Sequence, residues 1–247
     1  MTRENVRVLV VDDNVELAEN IAEILELEDI RGEVASNGRS ALAMMQETDY
    51  DLVVTDIRMP GMNGVELLRT IHERWPAKPV IVMSAYSNDA TLGAAARAGA
   101  LDVLAKPVDC AEIVALIERV VTPRAPLLVL EDNDALRVNL TELLLSSTAA
   151  IPYPAADLAT AERLLASVEF QAALIDVHLP DGDGLDLGQR LMQRSGNAMT
   201  VVYMTGVVDD RLEELQAVVQ NASAMRLLRK PFSSSQLLEL LSDLAED

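Results

Sequence analysis

Cysteine, aromatic residues and positive charge are all scarce in this chain, and each shortage excludes something. A single cysteine, Cys110, leaves no internal disulfide and fits a reducing compartment. Phe, Tyr and Trp make up 3% of the residues, so a core must be packed with Leu, Val, Ala and Met. Lys and Arg number 20 against 40 Asp and Glu; the formal net charge of −20 argues against direct contact with nucleic acid or a membrane surface, both anionic. No apolar run approaches bilayer-spanning length. The N-terminal "MTRENVRVLVV" reaches polar residues too soon for a signal peptide. A cytoplasmic protein is the expectation.

What the chain has in quantity is aliphatic side chain, and it uses it twice. Hydrophobic residues are 50% of 247, enough for two ordinary cores. "VLVVDDN" matches "LLVLEDN", setting Asp13 against Asp132, and "DLVVTDIRMPGMNG" matches "AALIDVHLPDGDG", setting Asp56 against Asp176. "VIVMSA" matches "TVVYMTG" (Ser84 with Thr205), and "LDVLAKPV" matches "MRLLRKPF" (Lys106 with Lys230). The offset drifts from 119 to 124 (132 − 13, then 230 − 106), as small loop insertions would cause. The expected organisation is a domain at 1–122, a linker at 123–126 with Pro123 and Pro126 stopping the preceding helix, and a second domain at 127–247.

In each copy, short aliphatic runs alternate with amphipathic stretches. The strand-like runs are "VRVLVV", "GEVAS", "DLVVT", "PVIVM" and "LDVLA", then "PLLVL", "AAIPY", "AALI", "TVVYM" and "MRLLR". Stretches such as "NVELAENIAEILELE" and "GVELLRTIHERW" carry apolar residues at helical spacing. Strand–helix alternation with fully apolar strands implies an α/β fold: two consecutive doubly wound, five-stranded parallel sheets covered by helices on both faces. Pro152 and Pro154 suit an edge strand.

The polar signatures all follow strands. Ligands of an open doubly wound sheet sit outside the carboxyl ends of its strands, so Asp12, Asp13, Asp56, Ser84 and Lys106 should converge on one crevice. Three carboxylates in one place need a cation to stay ionised together, and an oxygen-only set with open positions suits Mg²⁺. A lysine and a hydroxyl beside it suit a tetrahedral anion. One carboxylate of such a cluster can form an acyl phosphate. Asp56 is the better nucleophile, because the glycine-rich "IRMPGMNG" after it lets backbone groups approach a phosphoryl.

These residues resemble the receiver domain of two-component response regulators, the CheY-like (flavodoxin-like) family, across essentially the whole chain. The resemblance implies that Asp56 and Asp176 accept phosphoryl groups from a histidine kinase or phosphotransfer protein. It implies that Asp13 and Asp132 bind Mg²⁺, with Asp12 and Glu131 assisting through water and with the phosphoacceptors and the backbone carbonyls of Arg58 and His178 as further ligands. Ser84 and Thr205 would bond a phosphoryl oxygen, and Lys106 and Lys230 would pair with the phosphate. Where the family usually has Tyr or Phe, three residues before the lysine, this chain has Val103 and Leu227. Tyr86 is placed to modulate access at the site mouth.

Other features take plainer readings. His72 in "IHERWP" reads as a solvated helix-end histidine, His178 as a rim residue, and Cys110 as a packing residue at a helix start. "DGDGLD" fails the calcium-loop pattern and reads as the counterpart of "GMNG". The alanine-rich "ATLGAAARAGA" falls on a surface that receivers use for dimerisation. Nothing remains after "QLLELLSDLAED" for an output module, so the expectation is a regulator without a separate output domain, acting on a downstream protein target. It would make homodimeric or receiver–receiver contacts and would not be an enzyme acting on external substrates. A phosphorylation-independent scaffold, or one active receiver beside a regulatory or phosphate-sink partner, is the alternative. A phosphatase is weaker, since Arg58 and His178 stand where its general-acid carboxylate would be.

Overall fold

The computed structural model describes residues 6–85, 89–122, 124–148, 150–195, 199–206, 212–220, 222 and 224–241. The chain forms two compact units, Met1–Pro123 and Arg124–Asp247.

In the first unit the strands are β1 (Arg7–Val11), β2 (Arg31–Ala35), β3 (Leu52–Asp56), β4 (Val80–Ser84) and β5 (Asp102–Ala105). They alternate with α1 (Val15–Leu27), α2 (Gly38–Glu47), α3 (Gly64–Arg74), α4 (Asp89–Arg97) and α5 (Cys110–Val121). Every pairing is parallel, in the order β2-β1-β3-β4-β5. Every residue of β3 and β4 is buried, because helices cover both faces. Alternate strand residues serve opposite layers. Leu9, Val11, Val53 and Val82 pack with Leu67, Leu68 and Ile71 of α3. The touching pair α1 and α5 contributes buried Ile21, Leu25, Ile113 and Ile117.

The second unit repeats the plan with β6 (Ala125–Leu130), β7 (Ala150–Ala155), β8 (Ala172–Asp176), β11 (Thr200–Thr205) and β12 (Met225–Arg229), again all parallel, in the order β12-β11-β8-β6-β7. Its helices are α6 (Asp134–Ser147), α7 (Leu158–Leu165), α8 (Gly184–Ser195), α9 (Leu212–Gln220) and α10 (Ser234–Leu240). The alternation is plain here. Leu128, Leu130 and Ile175 join the layer with Leu164, Leu191 and Leu215. Leu127, Val129 and Leu174 join the layer with Leu140, Leu144 and Leu237. An addition absent from the expected plan is a short antiparallel pair, β9 (His178–Leu179) and β10 (Gly182–Asp183), in the loop after β8.

Proline placement explains one difference from expectation and bears out another. The linker expected at 123–126 is too long, since Ala125 and Pro126 already belong to β6. Pro126 sits near the strand's start, where a missing N–H is tolerated, and its carbonyl accepts from Gln171 N at 3.0 Å. Pro123 lies outside the described residues. β7 is an edge strand, as its prolines suggest. The Ala155 carbonyl accepts from Glu131 N at 3.1 Å, so alternate residues of β7 face β6 and Pro152 and Pro154 turn to the open side.

Candidate functional site

In the first unit, β1 runs into Asp12, whose N–H still donates to Ala35 O at 3.2 Å, so the strand ladder fixes the backbone that carries the carboxylate. Asp12 is 1% exposed. Its Oδ1 accepts from Asn14 N (2.9 Å) and its Oδ2 from Lys106 Nζ (2.7 Å). Asn14 in turn caps α1 by accepting from Leu17 N, so the same few residues end a strand, start a helix and aim a carboxylate. Asp13 faces solvent. β3 brings buried Asp56 to the same end, where Arg58 N donates to Oδ2 at 2.8 Å and Lys106 Nζ lies 2.5 Å from Oδ1. The neighbouring strand ends deliver buried Ser84, whose carbonyl accepts from Lys106 N at 2.7 Å.

The second unit builds the same pocket from Glu131, Asp132, Asp176, Thr205 and Lys230. Lys230 Nζ lies 2.6 Å from both Glu131 Oε2 and Asp176 Oδ2. Asn133 N donates to Glu131 Oε1 (3.2 Å) and His178 N to Asp176 Oδ1 (3.1 Å). Thr205 is fully buried, and its carbonyl accepts from Lys230 N at 2.7 Å. Each lysine thus lies between two buried carboxylates. Burial alone would lower the Lys106 ammonium, but the hydrogen bonds to Asp12 and Asp56 outweigh it and hold it above the usual lysine value; burial, Asp176 and Glu131 do the same for Lys230. Burial also pushes the Glu131 carboxyl up, and Lys230 offsets that only in part.

One carboxylate oxygen from each of Asp12, Asp13 and Asp56 lies within 4.8 Å of the other two, and the same holds for Glu131, Asp132 and Asp176. Oxygen-only donors with one exposed member per trio fit Mg²⁺, which keeps waters and takes few carboxylates. Beside Asp13 a groove of ≈ 750 Å³ runs past Arg58, Met59 and Glu66 to Arg69.

One glycine completes the loop after each buried strand-end aspartate in a way the sequence pattern did not announce. A Cβ on Gly64 would stand 2.2 Å from Asp56 O, and one on Gly184 1.9 Å from Asp176 O. The last glycine of each loop therefore lets the next helix start against the backbone of Asp56 or Asp176, instead of merely opening the loop to a ligand. The signal was available: each glycine follows its aspartate by eight positions (64 − 56; 184 − 176). Arg137, buried under the second pocket, was missed altogether.

Elsewhere, His72 is not the solvated residue expected. Its Nδ1 lies 3.0 Å from Ala98 O and its Nε2 3.0 Å from Lys78 O, so it engages carbonyls at the end of α4 and in the turn before β4. Helix-end carbonyls lack intrahelical partners, which is why a ring is drawn in. His178 is exposed at the rim, within the hairpin. Val103 and Leu227 are partly buried against their cores. Tyr86 lies outside the described residues.

The response regulator receiver domain family matches residues 8–118 and 127–242. The chain belongs to that family. A response regulator receiver protein of Anaeromyxobacter sp. (strain Fw109-5) is 35% identical over 96% of this chain and 94% of its own. The transcriptional regulatory protein ZraR of Escherichia coli (strain K12) is 38% identical over 48% of this chain but only 27% of its own length. Among solved structures, the receiver domain of Francisella response regulator 1452 is 30% identical, covering 47% of this chain and 96% of its own, with a TM-score of 0.45. As receivers, the two units belong to two-component phosphoryl-transfer signalling; such domains interact with histidine kinases or phosphotransfer proteins and generally bind Mg²⁺. Among the described residues, no helix is long and apolar enough to cross a membrane.

Proposed function

We propose that both receivers are phosphoacceptors, Asp56 in the first and Asp176 in the second, loaded from a phosphohistidine of a kinase or phosphotransfer protein. The observation that carries this reading is the buried acceptor carboxylate held by a lysine ammonium beside two further acidic groups, built twice. A carboxylate oxygen attacks phosphorus, the P–N bond breaks, and its electron pair leaves with the donor imidazole. Lys106 or Lys230 turns from the carboxylates toward the new phosphoryl oxygens. Ser84 or Thr205 donates its hydroxyl to another, and the Arg58 or His178 amide keeps the acceptor oriented. Mg²⁺, held by Asp13 or Asp132, the acceptor and the Arg58 or His178 carbonyl, with Asp12 or Glu131 acting through water, would neutralise charge on the transferring group.

The product is an acyl phosphate on the protein itself, so the protein is a substrate of transfer and not an enzyme for external substrates. Output follows from a shift between receiver arrangements that alters contacts with a downstream protein, a second copy or the other receiver. Cytoplasmic residence and the absence of nucleic-acid contact by the receivers belong to the same proposal. Val103 and Leu227 favour a second reading, a scaffold that is never phosphorylated in use, because the usual ring that relays the hydroxyl's movement is absent.

Intact-mass measurement after incubation with Mg²⁺ and acetyl phosphate separates the readings. Two phosphoryl groups on the wild type and one on each of Asp56→Ala and Asp176→Ala are expected. A single group lost in only one variant would leave one active receiver with a regulatory partner. No uptake would leave the scaffold.

A further inference from the structure

The two pockets differ in what lies beneath them. Arg137 is 1% exposed. Its Nη1 donates to the carbonyl oxygens of Glu131 (2.7 Å) and Asp132 (3.4 Å), and its Nη2 to Asp134 Oδ1 (2.7 Å). Those carbonyls belong to two of the three residues that form the second acidic trio. At the matching positions of the first receiver, 119 earlier, stand Ala18 (137 − 119) and Val15 (134 − 119). One pocket has a guanidinium pressed against its backbone; the other has a fully buried methyl group.

Both pockets otherwise hold three carboxylates and one lysine; the loops at their rims differ as well, with Arg58, Gly61 and Asn63 in the first against His178, Asp181 and Asp183 in the second, but Arg137 is the buried charge and the one that solvent screens least. A divalent ion repels a nearby unit charge in proportion to the product of their charges, and burial weakens the screening. Asp134 offsets part of the repulsion. Its side chain is 28% exposed against 2% for Arg137, so solvent damps the carboxylate more than the guanidinium.

We propose that Arg137 makes the second pocket the weaker of the two for a divalent cation. The first receiver then loads metal, and becomes competent for phosphoryl transfer, at concentrations that leave the second largely empty. This rests on the proposed metal-dependent phosphoacceptor function of both pockets.

Mn²⁺ binding to the full chain, read from the electron paramagnetic resonance of the free ion, tests it directly. Asp132→Asn leaves only the first site, Asp13→Asn only the second, and the double variant gives the background. The first site should bind about tenfold more tightly than the second. In the Asp13→Asn background, Arg137→Met should tighten the second site about fivefold, while Arg137→Lys, which keeps the charge, should leave it within about twofold. Comparison within one pocket removes the extra methylene of Glu131 from consideration.

Equal affinity of the two single-site proteins overturns the proposal, whatever the Arg137 variants do. So does a folded Arg137→Met, or a folded Asp134→Asn/Arg137→Met should the single variant unfold, whose affinity is unchanged or weaker. Folded single-site proteins that bind no Mn²⁺ at all would instead sink the metal-dependent phosphoacceptor function proposed above, and this inference with it.

Discussion

Lys106 and Lys230 each sit within hydrogen-bonding reach of two carboxylates that strand burial has taken out of water. Removing such an ammonium leaves two buried like charges facing one another. Lys106→Met should therefore destabilise the first receiver by about 2–4 kcal/mol at neutral pH, with part of the loss restored by Mg²⁺, as read from urea midpoints. Both ammonium groups are held above their ordinary value of 10.5. A raised folded-state value means that their contribution is fully present below 10.5 and is lost as pH rises through the raised values. The wild type should show that alkaline fall in its urea midpoint, and Lys106→Met/Lys230→Met should lack it. At this scale the sequence showed which side chains would meet at the strand ends wherever an apolar run stopped on them. It could not show Arg137 or His72. Arg137 is buried because it satisfies backbone carbonyls, which no side-chain pattern records. His72 engages Ala98, which lies 26 residues away in sequence.

The helices α3 and α8 each begin on a glycine because the start of each packs against the backbone of the aspartate that ends the preceding strand, Asp56 or Asp176. A methyl group at Gly64 would meet Asp56 O at 2.2 Å, an approach that backbone cannot relieve cheaply. Gly64→Ala should cost roughly 1–3 kcal/mol in urea unfolding. It should also slow the proposed phosphoryl uptake in the mass assay, since the atoms that must shift carry Asp56. The N-terminus of α3 is further fixed by a capping box, in which Asn63 accepts from Glu66 N while Glu66 accepts from Asn63 N. Asn63→Ala should cost about 1 kcal/mol by thermal melting. Elements with strong hydrophobic period were legible from sequence, and their ends fell within a residue or two. The β9–β10 hairpin was not. It involves Gly182, whose backbone adopts φ +157, and backbone hydrogen bonds between His178–Leu179 and Gly182–Asp183, so no apolar alternation announces it.

Across the whole molecule, duplication made the fold readable. One copy of "DD", "D", "S" and "KP" at strand ends would have been ordinary turn chemistry; two copies in the same order identify one architecture built twice, and the family match covers both. A chain that carries the same sheet twice also faces a hazard in its own synthesis, because a strand of one copy can pair with the edge of the other before either closes. The outward-turned Pro152 and Pro154 leave the open side of β7 with no N–H at those two positions to offer an incoming strand. The corresponding edge, β2, is guarded differently, by Arg31 and Glu33 in an ion pair of 3.2 Å. Pro152→Val/Pro154→Thr should fold at high dilution yet give exchanged, sedimenting oligomers when refolded at high concentration, a difference that analytical ultracentrifugation resolves. The two prolines thus act as insulation between neighbouring repeats, protecting the identity of each sheet while the chain is still sorting its strands.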